Sequence, residues 1–262
     1  MEDWRERTEL QVGKEGVQRL ENACVAIIGL GGVGAFAAEM LCRAGVGSFI
    51  LADSDVIDIT NKNRQLPALD STIGRIKTEV IAERMRDINK DVKVKIISTY
   101  IEEDNLSAKL KLRRKECATK GDKIARGSVG EEEWNEVDFV VDAIDTLSPK
   151  IALIQYCLQN KIPMVSSMGA GAKYDATKVR IAEIEKSFNC PLAYMLRKRL
   201  HKVGIRKGFK VVFSEEIPVK EAIVPCEGRN KKSRTGTISY MPAVFGCVCA
   251  QAAVEHILSV GV

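Results

Sequence analysis

The sequence predicts an α/β protein built on a doubly wound, mainly parallel sheet with helices on both faces. Two observations predict it. Apolar runs of strand length alternate with helix-period segments from residue 23 to residue 166, and the first run ends in glycines that open a helix. Val17–Asn22 reads as the end of a short amphipathic helix. Ala23–Ile28 is a continuous apolar run, as a strand buried on both faces requires. Val33–Ala44 has helical spacing and is closed by Gly45, and Ser48–Ala52 is a second strand. Arg75–Asn89 is a helix with Ile76, Val80, Ile81 and Met85 on one face. Val92–Ser98 and Val137–Ala143 are further strands, followed by a helix over Pro149–Gln159 and a strand over Ile162–Ser166.

Beyond residue 166 the alternation breaks. Val179–Ile184, Val211–Ser214 and Thr237–Tyr240 read as separate strands around a helix at Pro191–His201, and they are expected to extend the sheet. The reading is one domain over 1–262. It has an N-terminal helical segment (1–22), a nucleotide-binding half (23–166) and a substrate-binding half (167–262). A charged insertion at 107–133, with Gly121, Gly127 and Gly130, is expected to start helical and continue as a mobile loop.

The balance of 45% hydrophobic and 29% charged residues is that of a globular chain and excludes a disordered or fibrous one. Net charge is only +5, but Met195–Thr235 holds twelve basic residues against four acidic ones, a candidate polyanion surface. The eight cysteines form no C-x-x-C pair, which argues for a reduced, cytoplasmic protein without a structural zinc site. The polar start, Met1 to Arg7, has no signal-peptide core. Tyr240–Val254 is shorter than a membrane span and is read as a buried helix, so no stable span is expected.

The chemistry begins at Gly29-Leu30-Gly31-Gly32-Val33-Gly34. Gly29, Gly31, Gly32 and Gly34 let the backbone turn tightly and approach a phosphate, while the helix start offers free N–H groups. Asp53 ends the next strand, where a carboxylate can take ribose hydroxyls. This much makes the sheet Rossmann-like and suits NAD and ATP equally.

The following residues separate the two. Asp53-Ser54-Asp55-Val56, Asn61-Lys62-Asn63-Arg64-Gln65, Gly74-Arg75-Ile76-Lys77 and Asp142-Ala143-Ile144-Asp145 together resemble the adenylation site of the ThiF/MoeB/HesA superfamily of ubiquitin-activating-type enzymes. The resemblance implies that the glycine loop holds ATP and Asp53 the ribose. It implies that Asn61, Arg64 and Lys77 hold the triphosphate and that Asp145 supports Mg²⁺. The chemistry agrees: attack of a carboxylate on the α-phosphate builds negative charge, which Arg, Lys and a metal neutralise. Arg7, in Arg7-Thr8-Glu9-Leu10, resembles an N-terminal arginine that reaches the neighbouring subunit's ATP, which implies a homodimer. Arg64, Lys77, Asp145 and Arg7 are thus the candidate catalytic residues.

The second half narrows the family. Asn160-Lys161-Ile162-Pro163, Gly169-Ala170-Gly171, Pro191-Leu192-Ala193 with Leu196 to Leu200, Val211-Val212-Phe213-Ser214 and Met241-Pro242-Ala243 resemble the tRNA threonylcarbamoyladenosine dehydratases. These resemblances imply an ATP-dependent adenylating enzyme of the ligase type that acts on tRNA carrying threonylcarbamoyladenosine, with a sulfur-transfer protein as a candidate partner. The basic stretches Arg197–Lys210 and Arg229–Arg234 would then position phosphates. Two departures stand out: Cys190 replaces an Asp common in that family, and the 107–133 segment is longer than usual. The alternatives are an adenylyltransferase for the C-terminal glycine of a ubiquitin-like sulfur carrier and an NAD-binding oxidoreductase. The latter would have no use for Arg64, Lys77 and Asp145.

Overall fold

The computed structural model describes residues 3–115, 136–225 and 233–259. A helix α1 (Glu6–Asn22) precedes strand β1 (Cys24–Ile28), helix α2 (Gly34–Ala44) and strand β2 (Ser48–Ala52). Helix α3 (Lys77–Ile88), strand β3 (Lys93–Ile97), helix α4 (Glu103–Leu110) and the short strands β4 (Arg113–Arg114) and β5 (Glu136–Val137) follow. Then come β6 (Phe139–Asp142), α5 (Leu147–Gln159), β7 (Met164–Ser167), β8 (Val179–Glu183), α6 (Pro191–Lys202) and β9 (Lys210–Ser214). A two-stranded pair, β10 (Ile223–Pro225) and β11 (Ser233–Thr235), leads to the last helix, α7 (Tyr240–Ser259).

Seven strands make the central sheet in the order β3-β2-β1-β6-β7-β9-β8. All neighbours run parallel except β8, which pairs antiparallel with β9. The alternation along β1 shows why the run is apolar throughout. Val25 and Ile27 face α2, α3 and α7, while Cys24, Ala26 and Ile28 face α4, α5 and α6. Every β1 residue is buried. The strand order reverses at β1, where chain continuation runs outward to β2 on one side and β6 lies on the other. The crevice beyond the carboxyl ends of β1 and β6 is where a sheet of this kind binds ligands.

Helix α7 has little amphipathic character because it packs against α2, α1 and the sheet over β6 to β8. A Cβ on Gly246 would come within 2.5 Å of Val33 O and 2.8 Å of Phe36 Cβ, so glycine sets the α2–α7 distance. Its length and composition alone would pass for a membrane span, and half of its apolar window is buried against the rest of the protein.

The N-terminal helix ends at Asn22, as expected of Val17–Asn22, and it starts at Glu6 with a break in helical geometry at Gly13, φ 75°. One expectation is corrected. Residues 237–239 form no strand: the strand lies at Ser233–Thr235, pairs with β10 outside the main sheet, and Tyr240 opens α7. Only β8 and β9 extend the sheet. In the charged insertion, α4 ends at Leu110 and β4 follows; the expected mobile loop with Gly121, Gly127 and Gly130 lies outside the described residues.

Helices α2 and α3 are tied by a buried carboxylate. Glu39 accepts from Arg84 Nε at 2.6 Å and Nη2 at 3.0 Å, and from Arg43 Nε at 2.8 Å. Burial pushes its pKa up, but Arg84 and Arg43 outweigh burial and hold it below the ordinary glutamate value of 4.5. The stabilisation is therefore present above pH 4.5 and lost as pH falls through the lower folded value. Replacing Glu39→Gln should cost about 1–3 kcal/mol near neutral pH. In urea melts across pH, the gap between wild type and variant should close as the solution is acidified below 4.5.

Candidate active site

The glycine loop sits at the carboxyl end of β1 and is shaped by contacts that only glycine permits. Gly29 has φ 92°, and a Cβ there would lie 2.7 Å from Ala143 O. A Cβ on Gly34 would run into Gly29 O, so this glycine allows α2 to start directly against the loop. Gly32 has Arg64 O 3.1 Å and Pro242 Cβ 2.9 Å from its virtual Cβ. The loop is thus enclosed by the turn after β6, the Arg64 segment and the first turn of α7.

Asp53, at the end of β2, accepts from Leu30 N at 2.6 Å and from Asp55 N at 2.8 Å. Burial raises its pKa, opposed by the nearby Lys77 ammonium and by the two backbone N–H groups. Each carboxylate oxygen keeps acceptor capacity for a sugar hydroxyl. Lys77 opens α3, is buried, and its Nζ pairs with Asp55 Oδ2 at 2.7 Å. Asp55 bridges the two, since it donates its N–H to Asp53 and accepts from Lys77.

Between β2 and α3 the chain makes a short helical turn, Ile59–Asn61, closed at its start by a reciprocal capping box. Asp58 Oδ1 accepts from Thr60 N at 2.8 Å, and Asn61 Oδ1 accepts from Asp58 N at 3.2 Å. Arg64 follows, with Nη1 donating to Thr60 O at 3.0 Å and Asn63 Oδ1 at 2.8 Å. Its stem packs on Gly32, with Cγ 3.5 Å from the virtual Cβ. The structure therefore brings Gly29, Gly31, Gly32, Gly34, Asp53, Asn61, Arg64 and Lys77 to one end of the sheet. Asp145 is exposed in the turn after β6, at that same end. Arg7 is exposed on the first half of α1. Its neighbour Arg5 touches Gly45, at the far end of α2 from the glycine loop, so Arg7 is not gathered with the others in its own chain.

Sequence reasoning left two features unassigned. Gln65 is buried, its Nε2 lies 3.7 Å from the virtual Cβ of Gly31, and its Oε1 has no hydrogen-bond partner. A buried orphan acceptor beside a phosphate-type loop is what a site looks like when its ligand supplies the donor. The second feature lies under the site. Asp142 Oδ2 accepts from Lys150 Nζ at 2.7 Å and Ser166 Oγ at 2.6 Å, and Oδ1 accepts from Ile144 N at 3.1 Å. Both Asp142 and Lys150 are fully buried. This pair fixes the 143–145 turn that encloses Gly29 and carries Asp145. A lysine within the apolar run of α5 was the available signal.

Cys190 caps α6, its sulfur accepting from Ala193 N at 3.5 Å, and it is buried. Among the described residues Cys24, Cys42, Cys157, Cys190, Cys247 and Cys249 are free thiols, and burial pushes Cys24, Cys42 and Cys249 up to about 12. Arg197 faces inward, donating to Ser187 O and Oγ at 2.7 and 2.5 Å, whereas Lys198, Arg199, Lys202, Arg206, Lys207 and Lys210 are exposed. Arg229, Lys231 and Lys232 lie outside the described residues.

A phosphate-type glycine loop, a ribose-type carboxylate, and an arginine and lysine beyond it define a nucleotide-binding α/β protein suited to phosphoryl chemistry. The chain matches the ThiF family over residues 6–261, and it belongs to that family. It is 38% identical over 252 residues to the tRNA threonylcarbamoyladenosine dehydratase of Bacillus subtilis, covering 92% of this chain and 89% of the relative. It is 34% identical over 277 residues to the protein of that name in Escherichia coli, covering 98% and 95%. The crystal structure of the Escherichia coli dehydratase in complex with ATP superposes with a TM-score of 0.80 at 33% identity, again covering 98% of this chain and 95% of that one.

Removing half of the buried pair leaves an unpaired charge. Lys150→Met should destabilise the protein by about 3–5 kcal/mol, and adding Asp142→Asn should recover most of that. Denaturant melts of the two variants check it.

Proposed function

We propose that this chain is an ATP-dependent adenylating enzyme that dehydrates N6-threonylcarbamoyladenosine in tRNA. The supporting observation is the ordered set around the glycine loop, Asp53, Arg64 and Lys77, in a chain matched over nearly its whole length by dehydratases acting on that substrate. A carboxylate oxygen of the threonyl group attacks the α-phosphorus, and pyrophosphate leaves. A carbamoyl atom then closes onto the carboxyl carbon, AMP departs with the carboxylate oxygen, and one proton is released. The tRNA loses one water in total, and ring closure needs no enzyme nucleophile.

The chain's own residues bind, orient and neutralise charge. Asp53 takes the ribose hydroxyls while its N–H partners keep the loop shaped. Gln65 Oε1 accepts a donor from the nucleotide. Arg64 turns its fork from Thr60 and Asn63 onto phosphate oxygens, with Asn61 beside it, and Lys77 supplies a point charge held close by Asp55. Among the described residues no cluster of three or more acidic, His or Cys side chains could cage a metal. That fits Mg²⁺, which takes one or two carboxylates and completes its shell with phosphate oxygens and water. Asp145 is the residue that would hold it, and the ion would add charge neutralisation. Arg7, remote from its own loop, serves the site of a second copy in a homodimer. The free thiols suit a reducing, cytoplasmic setting.

Lys198, Arg199 and Lys202 project from α6, with Tyr194 exposed one turn before Lys198, and form the tRNA face. Reversing Lys198 and Lys202 to Glu should weaken tRNA binding, flatten its salt dependence by about two phosphate contacts, and leave ATP affinity unchanged. Filter binding across a salt series reads this directly.

The test of the activity is pyrophosphate release with tRNA bearing threonylcarbamoyladenosine, followed by mass analysis of the nucleosides. The expected product is lighter by one water. Arg64→Ala should lower the rate by roughly 100-fold or more, the size expected for losing a preorganised charge partner.

A further inference from the structure

We propose that a small cleft beside Asn63, walled by Tyr174 and Ile238, is the subsite for the acceptor nucleoside, with the Tyr174 ring as the surface on which its base stacks. The inference rests on the tRNA reading above. The cleft has a volume of about 160 Å³ and lies between residues 172–174 and 236–238, with Ala222 completing it. Small-molecule sites usually run from about 300 Å³ upward. A cavity of this size suits one fragment of a larger substrate whose remainder stays outside.

Its place ties it to the phosphate residues. Asn63 Nδ2 donates to Thr237 O at 3.0 Å, and Asn63 Oδ1 accepts from Arg64 Nη1 at 2.8 Å. One asparagine therefore joins the wall of the cleft to the arginine assigned to ATP. The other wall is held at both ends of Tyr174. Its N–H donates to Glu216 at 3.0 Å, and its carbonyl accepts from Tyr240 Oη at 2.8 Å. The backbone is fixed, yet Tyr174 as a residue remains 57% exposed, next to Ile238 at 38%. An anchored, exposed aromatic beside an aliphatic side chain is a stacking platform for a base turned out of its strand. Lys173, next in the chain to Tyr174, is buried and donates from its Nζ to Ser214 O at 2.9 Å and Asn189 O at 3.3 Å, which fixes the segment that carries the aromatic.

The backbone argues against an extended peptide as occupant. A peptide tail binds by adding a strand and needs free N–H and C=O groups. Here Ala172 N donates to Gly236 O, Ala172 O accepts from Val219 N, and Gly236 N donates to Ala222 O. Those groups are already consumed. Gly171 makes this closure possible, because a Cβ there would lie 2.6 Å from Thr235 Cγ2.

The test compares wild type, Tyr174→Ala and Tyr174→Phe in two assays. One is ATP affinity by calorimetry without tRNA; the other is AMP formation at saturating ATP against the concentration of tRNA carrying threonylcarbamoyladenosine. Tyr174→Ala should lower kcat/KM for tRNA by roughly 5- to 150-fold, the range for losing one stacked base. ATP affinity should not change, and Tyr174→Phe should behave as wild type. An active wild type with an unimpaired Tyr174→Ala, or a loss matched in ATP affinity or in Tyr174→Phe, overturns the subsite alone. A wild type that ignores this tRNA but forms AMP with a peptide ending in Gly-Gly overturns the tRNA reading and the subsite together.

Discussion

The two carboxylate oxygens of Asp53 are divided between the N–H of Leu30, inside the glycine loop, and the N–H of Asp55, in the loop that follows β2. That division joins two adjacent parallel strands at their carboxyl ends. Asp55 then holds the Lys77 ammonium, so the position of the lysine depends on the same carboxylate. Burial raises the Asp53 pKa while Lys77 and the N–H donors lower it. A protonated Asp53 would lose acceptor capacity toward the loop, so the geometry of the site depends on neighbours that favour the anion.

The opposite wall depends on a second buried carboxylate. Asp142 binds Lys150, Ser166 and the N–H of Ile144, with no exposure of either charged side chain. Such a pair adds little net stability compared with an apolar replacement, because desolvation offsets the attraction. Its use here is positional: it fixes the turn whose carbonyl meets Gly29 and whose next residues carry Asp145. The site is therefore a loop clamped between two carboxylate-organised turns, with the Arg64 segment closing it from above.

The sheet was legible because its strands are buried on both faces and therefore apolar throughout, from Ala23 to Ile28 and from Ser48 to Ala52. The ATP residues were legible because short motifs carry them in order along the chain. Thr237–Tyr240 misled because β-branched and aromatic residues suggest a strand, whereas the backbone there is committed to Asn63 and to the start of α7. Gly13 kinks α1, so only its end, Val17–Asn22, showed the amphipathic period. Lys150 and Arg197 show a further limit. Each is a basic residue in a helix, but one is buried in an ion pair and the other turns inward to Ser187. Only tertiary contacts separate them from the exposed Lys198 and Arg199.

The central claim is that the substrate's own carboxylate attacks the α-phosphorus of ATP, and the fate of one oxygen tests it. The enzyme would be given tRNA in which the threonyl carboxylate carries oxygen-18, and the products would be read by mass spectrometry. The account predicts label in AMP and none in pyrophosphate or water. Label found in inorganic phosphate with ADP as the co-product, or AMP free of label, would contradict it.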